Sequence, residues 1–333
     1  HLGARHDWLA AVSLRFQNEP WQINIPGTPK TIMLSDPATI EEVLAFDDAA
    51  ILIMRRRLVP KYVWKLQRWL NVGPEKKLKE LVDSVHTYVT HLVNQSLSKK
   101  NDDVSGQEQD EKIRTAVELF VEHSGDDKAG LRPRDLVDFV LNFMIGARDT
   151  SAVTTMWLFY RLSKHPEVEA KIREELTVKL QHLGVGQDDY ITADHVKQLV
   201  YLEAVIKETL RFHPAAPFMS RVANQDTVID GDVFIRKGDN VGLSVYAMAR
   251  NPRVGGQMRR SELLSFPANK FLSFSAGPRQ CIGMKLAMLN LRVLTANLLH
   301  RYKFDIDPAN DGSHVNAIVL PMKHDLFAKV ELV

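Results

Sequence analysis

The feature that most constrains the fold is one long helical run. Pro133 opens it, Leu136, Phe139, Val140 and Phe143 form one stripe, and it continues to about Lys164 before His165-Pro166 ends it. A residue preceding proline is driven out of helical geometry, so the stop is built into the chain. Further helices are predicted at Glu167–His182, Ala193–Leu199 and Tyr201–Phe212, and upstream at His6–Phe16 and from Pro37 through Ala45. Pro74 to Lys99 carries Leu78, Leu81, Val85, Val89 and Leu92 at near-helical spacing for one buried face. Past residue 281, Ile282, Leu286, Leu289, Val293 and Ala296 mark another buried helix.

Strands are short and scattered. Trp21–Ile25 and Thr31–Leu34 flank Pro26-Gly27, and a β-rich region spans Phe218–Gly242 with turn signals at Asp230-Gly231 and Lys237-Gly238. Val315–Leu320 and Leu326–Leu332 read as a closing hairpin. Residues from about Ser98 to Lys112 have almost no apolar content and read as a solvated loop. The order is mainly α with small β-sheets, not an alternating βαβ pattern.

Length alone, at about 150 residues per domain, points to two domains for 333 residues. Lys+Arg total 43 against Asp+Glu 41, a net charge of +2, which gives no reason to invoke nucleic acid. A single cysteine excludes an internal disulfide framework and a multi-cysteine zinc site. No apolar run is long enough to span a bilayer. The chain opens on His1 rather than methionine, and a natural N-terminal segment is expected to precede it.

The cysteine lies in Phe274-Ser275-Ala276-Gly277-Pro278-Arg279-Gln280-Cys281-Ile282-Gly283. Cys281 stands at the mouth of a helix, whose positive dipole end favours an anionic sulfur. Gly277 and Gly283 let the backbone turn tightly and approach a flat ligand. Arg279 can pair with a carboxylate, and Phe274 can pack beneath a ring. A lone cysteine in a glycine turn is, by itself, more often an inert buried thiol. Yet these five fixed positions in ten should arise by chance only on the order of 10⁻⁴ per chain.

This segment, Phe-x-x-Gly-x-Arg-x-Cys-x-Gly, resembles the haem-ligand signature of the cytochrome P450 family. The resemblance implies a single haem-thiolate domain over residues 1–333, with haem b as cofactor, Cys281 as iron ligand and Arg279 toward a propionate. Two further motifs stand in family order. Gly146-Ala147-Arg148-Asp149-Thr150-Ser151 resembles the oxygen-activating helix centre, although the family usually reads Ala-Gly where this chain reads Gly-Ala. Gly146 and Thr150 share a helix face, leaving a groove beside a hydroxyl. The resemblance gives Thr150 a hydrogen bond to dioxygen and Asp149 a proton relay. Glu208 and Arg211 form Glu-x-x-Arg before His213-Pro214. Such a pair is commonly a surface salt bridge, but in the family it is buried and braces the ligand core. Arg221 resembles another propionate-pairing position.

Two stretches of the family pattern are absent. After Leu44-Ala45 the sequence passes straight to Phe46-Asp47-Asp48-Ala49, skipping helices that carry a Trp-x-x-x-Arg propionate grip. Trp64 and Arg68 match that spacing, but Arg55–Glu80 resembles a segment that covers the substrate channel. After Gly255-Gly256-Gln257 a Phe-x-Pro-Glu-Arg element is missing, with Arg259 or Arg260 as candidate remnants. The fold is thus expected to be internally truncated, which supports a competing reading as a degenerate, non-catalytic remnant with impaired haem binding.

Arg55–Glu80 and the text from Arg221 to Val241 look most like plant and fungal fatty-acid ω-hydroxylases. The resemblance implies insertion of one oxygen atom of O₂ into a C–H bond of a fatty acid. Electrons would come from NADPH through NADPH–cytochrome P450 reductase, and the enzyme would be held to the endoplasmic reticulum membrane by a segment before His1. Phe218 and Pro321-Met322-Lys323 fall where family members line the pocket, with core packing equally open. A peroxide-rearranging relative is a further alternative, against which Asp149 and Thr150 argue.

Overall fold

The computed structural model describes residues 21–23, 31–33, 49, 52–53, 55–56, 59–102, 133–229, 231–251, 271–315 and 317–333. Helices dominate these residues, and the strands pair two by two. The chain divides into two units, His1–Ile145 and Gly146–Val333.

In the first unit, β1 (Trp21–Ile23) pairs antiparallel with β2 (Thr31–Met33), Trp21 opposite Met33. The helices predicted at His6–Phe16 and from Pro37 lie outside the described residues, as do Gly255–Gln257, Arg259 and Arg260. Helix α1 (Lys61–Leu70) ends at Asn71, left-handed at φ 54°, and α2 (Gly73–Asp102) follows. Asparagine tolerates that conformation, and the Asn71 and Val72 amides donate back to the Arg68 and Gln67 carbonyls, which ends the helix. Helix α2 buries Leu78, Val85, Val89 and Val93. The last three pack on Leu136 and Val137, in the opening turns of α3 (Pro133–Lys164).

Two predictions need correction here. Residues 98–102 continue α2 as helix rather than loop, because lysine, asparagine and aspartate interrupt no helical backbone bond. On α3 the buried stripe is rotated by one residue. Leu136, Val137, Val140 and Leu141 face α2, while Phe143 is 45% exposed.

The second unit is built on α4 (Pro166–His182), a 3₁₀ turn at His195–Gln198, α5 (Val200–Phe212) and α7 (Met284–Arg301). The 3₁₀ turn replaces the α-helix predicted at Ala193–Leu199. Leu158 and Leu162 of α3 join Ile172, Leu176, Leu202, Ile206, Leu291 and Leu299 in one core. Two charged side chains cap the helices around it. Glu175 accepts from the Tyr201 and Leu202 amides at 2.7 and 2.9 Å, satisfying the start of α5. Arg173 donates to the carbonyls of Leu299 and Tyr302 at the end of α7. Leu289, Val293 and Ala296 pack into the core as predicted. Ile282 and Leu286 do not: both are exposed, Ile282 because it precedes α7, which starts at Met284.

Strand β3 (Phe218–Val222) pairs with β6 (Asn240–Ser244), and β4 (Thr227–Ile229) with β5 (Val233–Ile235). Gly231 at φ 82° and Gly238 at φ 92° make the predicted turns. Helix α6 (Val245–Arg250) starts on a cap in which the Ser244 hydroxyl accepts from the Ala247 amide at 3.2 Å. The predicted C-terminal hairpin has a different partner. Strand β7 (Tyr302–Ile306) pairs with β8 (Ala328–Leu332), and among the described residues Val315 and 317–320 form no strand. Leu320 is instead buried against Trp157, whose indole N–H donates to the Leu320 carbonyl at 2.8 Å.

Candidate functional site

The cysteine loop is closed by its own backbone. The Cys281 amide donates to the Phe274 carbonyl at 2.8 Å, and the Gln280 amide to the Gly277 carbonyl at 3.0 Å around a 3₁₀ turn, Gly277–Arg279. Ser275 sits at φ 60° and Gly277 at φ 66°. A non-glycine residue in that region is strained, a feature that concentrates at functional loops. Outside contacts hold the loop in place. Ser273 donates its hydroxyl to the Leu210 carbonyl of α5 at 2.7 Å, Phe274 packs on the main core, and Phe271 meets Phe274 edge to face at 6.2 Å. Cys281 is exposed, three residues before α7.

The two loop glycines have different reasons. Gly277 needs its left-handed backbone, with nothing within 4 Å of a built Cβ. Gly283 has an ordinary φ of −84°, and a Cβ there would stand 3.9 Å from the Cys281 sulfur. We therefore expect Gly277→Ala to destabilise the chain by about 1–2 kcal/mol through backbone strain. Gly283→Ala should cost less than about 1 kcal/mol and leave maleimide labelling of Cys281 unchanged, since a methyl 3.9 Å from the sulfur makes only ordinary van der Waals contact. Thermal melts and labelling rates check the contrast.

Arg221, on β3, reaches this loop: its guanidinium donates to the Ser275 hydroxyl at 3.5 Å and to the Ser220 carbonyl at 2.9 Å. Arg279 is exposed on the 3₁₀ turn. A second grouping lies on α3. The Thr150 hydroxyl donates to the Gly146 carbonyl at 2.7 Å, and Thr154 repeats the bond to Thr150. Space beside Gly146 is open, with no atom within 4 Å of a built Cβ. Asp149 is partly exposed and lies 3.6 Å from Arg148.

The third grouping is Glu208 with Arg211. Two hydrogen bonds of 2.6 and 2.7 Å join them, and Arg211 also donates to the Ala249 carbonyl at 2.6 Å. The Arg211 side chain is 7% exposed and that of Glu208 is 40% exposed, so one end is buried and the other touches water. Glu208→Ala would leave a buried guanidinium without its counter-charge. The expected loss is about 3 kcal/mol, the low end for such pairs because water reaches the carboxylate side; urea denaturation measures it.

Local patterning did not reveal the packing behind this pair. Phe212 carries the guanidinium of Arg250 at 4.1 Å and of Arg161 at 5.2 Å over its ring. His213 stacks on Trp157 at 3.8 Å with 8° between rings, buried, with neither ring nitrogen hydrogen-bonded. Burial, with Arg250, Arg161 and His314 nearby, pushes His213 down to about 3. Burial also lowers Arg250. Only the His213-Pro214 pair was visible in the sequence; Trp157 and Arg161 arrive from another helix with no shared spacing.

Among the described residues no three His, Cys, Asp or Glu side chains gather to hold a metal. An exposed sulfur on a preformed loop, with one cation on that loop's 3₁₀ turn and one on strand β3, fits a metal whose other ligands come with it in a macrocycle, as in haem.

Comparison with known proteins agrees with this geometry. The family model "Cytochrome P450" matches residues 31–254 and 260–325, and the chain belongs to the cytochrome P450 family. Its interruption falls where the sequence lacks the Phe-x-Pro-Glu-Arg element. Particular relatives include Cytochrome P450 86B1 of Arabidopsis thaliana, 28% identical over 89% of this chain and 55% of the relative. Cytochrome P450 94B1 of the same plant is 31% identical over 85% of this chain and 55% of its own length. Alkane hydroxylase MAH1, also from Arabidopsis thaliana, is 24% identical over 96% and 64%. The chain thus spans somewhat over half the length of these relatives. A solved structure described as the cytochrome P450DA heme domain superposes with a TM-score of 0.69 at 19% identity, covering 88% of this chain and 61% of that one. The fold is that of the family, mainly helical with small antiparallel sheets.

Proposed function

We propose that the chain is one haem-thiolate domain of a monooxygenase, with haem b bound through the Cys281 sulfur. The observation that carries this reading is the exposed sulfur on a loop closed by the bond from Cys281 N–H to the Phe274 carbonyl. Arg221 and Arg279 would take the propionates, Phe274 would support the ring from the core side, and Gly277 and Gly283 keep the loop flat and open. The chemistry supplied at the bound cofactor is insertion of one oxygen atom of O₂ into a C–H bond, the other leaving as water with two electrons and two protons. Gly146 leaves room on the α3 face. Thr150 gives its own proton to the Gly146 carbonyl and keeps lone pairs to accept another. Asp149, in reach of water, is the carboxylate that would pass protons inward.

A fatty acid is the proposed substrate, oxidised at its terminal carbon, with support from a relative named as an alkane hydroxylase. NADPH–cytochrome P450 reductase would deliver the electrons at the endoplasmic reticulum membrane. The test is reconstitution with that reductase, NADPH and a long-chain fatty acid. Hydroxylated product that requires NADPH supports the reading, and none from haem-loaded protein would defeat it. One observation favours a second reading, the non-catalytic remnant: the family match is interrupted between residues 254 and 260. Failure of the purified protein to take up haem would select it.

A further inference from the structure

We propose that the outer edge of β8 pairs antiparallel with the β8 edge of a second copy of this chain, closing a twofold dimer through one four-stranded sheet. The hydrogen-bond pattern shows which groups that edge offers. Tyr302 of β7 faces Leu332 of β8, and Ile306 faces Ala328. Just beyond the two ends, the Val333 amide donates to the Arg301 carbonyl and the Asp307 amide to the Phe327 carbonyl, each at 3.0 Å. In an antiparallel ladder hydrogen-bonded and non-hydrogen-bonded pairs alternate, so the odd-numbered residues of β8 bond to β7. The amides and carbonyls of Ala328, Val330 and Leu332 therefore point away from β7. Among the described residues no strand pairs with that side.

The side chains of the edge are divided by face. Phe304 packs on the main core and Ile306 is buried, so the even-numbered residues of both strands lie on the core side. Val330 and Leu332 share that side, opposite Phe304 and Tyr302, yet they are 51% and 81% exposed. The odd face is charged. Lys329 stands opposite Asp305, Glu331 stands opposite Lys303, and Lys329 and Glu331 meet at 2.8 Å.

Set antiparallel to itself with Val330 on the twofold axis, β8 complements its own charges. Val330 opposes Val330 and their outward amides and carbonyls bond to each other, while Ala328 opposes the partner's Leu332. Lys329 then opposes the partner's Glu331 in a non-hydrogen-bonded pair, where side chains stand closest. Across the joined sheet the charges alternate in sign, from Asp305 to Lys329, to the partner's Glu331, to the partner's Lys303. A slip of two residues would set Lys329 against Lys329 or Glu331 against Glu331, and a parallel arrangement would bring like charges alongside each other. The charge order thus selects one register and one direction. Twofold pairing consumes both β8 edges, so assembly stops at two copies instead of extending into a filament. The contact needs neither haem nor turnover, and its failure would leave the monooxygenase reading untouched.

The experiment is analytical ultracentrifugation of the whole chain over a concentration series, with thermal melts to confirm that each variant folds. An edge this short should give a reversible dimer with a Kd on the order of 10 µM. Val330→Pro removes an outward amide and none of the bonds to β7, and it should weaken the dimer about tenfold or more. Lys329→Glu and Glu331→Lys should each be monomeric alone, and the two mixed should form a heterodimer, because their strands again oppose unlike charges. Wild type that stays monomeric at about 200 µM would overturn the proposal. So would a dimer that survives Val330→Pro, a mixture of the two charge variants that remains monomeric, or growth beyond two copies.

Discussion

Cys281→Ser is expected to abolish the red-shifted Soret band that thiolate-ligated haem shows when reduced under carbon monoxide. It should lower any NADPH-dependent turnover on the order of a thousandfold or more, since the sulfur's electron donation favours O–O cleavage. Stability should change by less than about 0.5 kcal/mol, because the side chain is exposed. The loop's shape should also survive, since its closing bond to the Phe274 carbonyl uses the backbone amide of residue 281. That separation makes the result decisive: a folded variant without the band isolates the sulfur, whereas an unchanged spectrum would remove Cys281 from the metal.

The second large effect is acid sensitivity centred on His213. Its folded value is about 3 against an ordinary 6.5. Between those values the unfolded chain binds a proton that the folded chain refuses. Stability is therefore fully present above about pH 6.5, falls as the pH drops through the window, and levels off near pH 3. At about pH 5 the expected loss is roughly 2 kcal/mol from this residue alone. His213→Phe keeps a flat ring against Trp157 and removes two unpaired nitrogens. Urea denaturation near neutrality and at about pH 5 should show wild type losing stability that the variant keeps. Equal losses in both proteins would place the acid sensitivity elsewhere.

The parts of the molecule legible in its residues are those with local causes. Phe274, Gly277, Arg279 and Cys281 belong to one closed turn, so their spacing reports their geometry. Pro133 and Pro166 bracket α3 because proline acts on its nearest neighbours. Pairings decided at a distance were less visible. Strand β8 could not announce β7 as its partner over Val315–Leu320, since what withdraws Leu320 is Trp157 on a different helix. Phe143 and Val137 both fit a helical stripe, and only the facing helix α2 selects Val137. Ile282 reads as the first residue of a buried face, yet it falls before the helix begins. At Glu208–Arg211 the spacing gave the ion pair, while the Ala249 carbonyl that draws Arg211 inward carries no side-chain signature.

The anchoring of the cysteine loop bears on redesign. Its contour is borrowed: Ser273 is tethered to Leu210, Ser275 to Arg221, and Phe274 is sunk among core side chains. Grafted alone onto a foreign scaffold, the same ten residues would lose those moorings, and the left-handed Ser275 would relax. A usable transplant must bring along the end of α5 and the strand carrying Arg221.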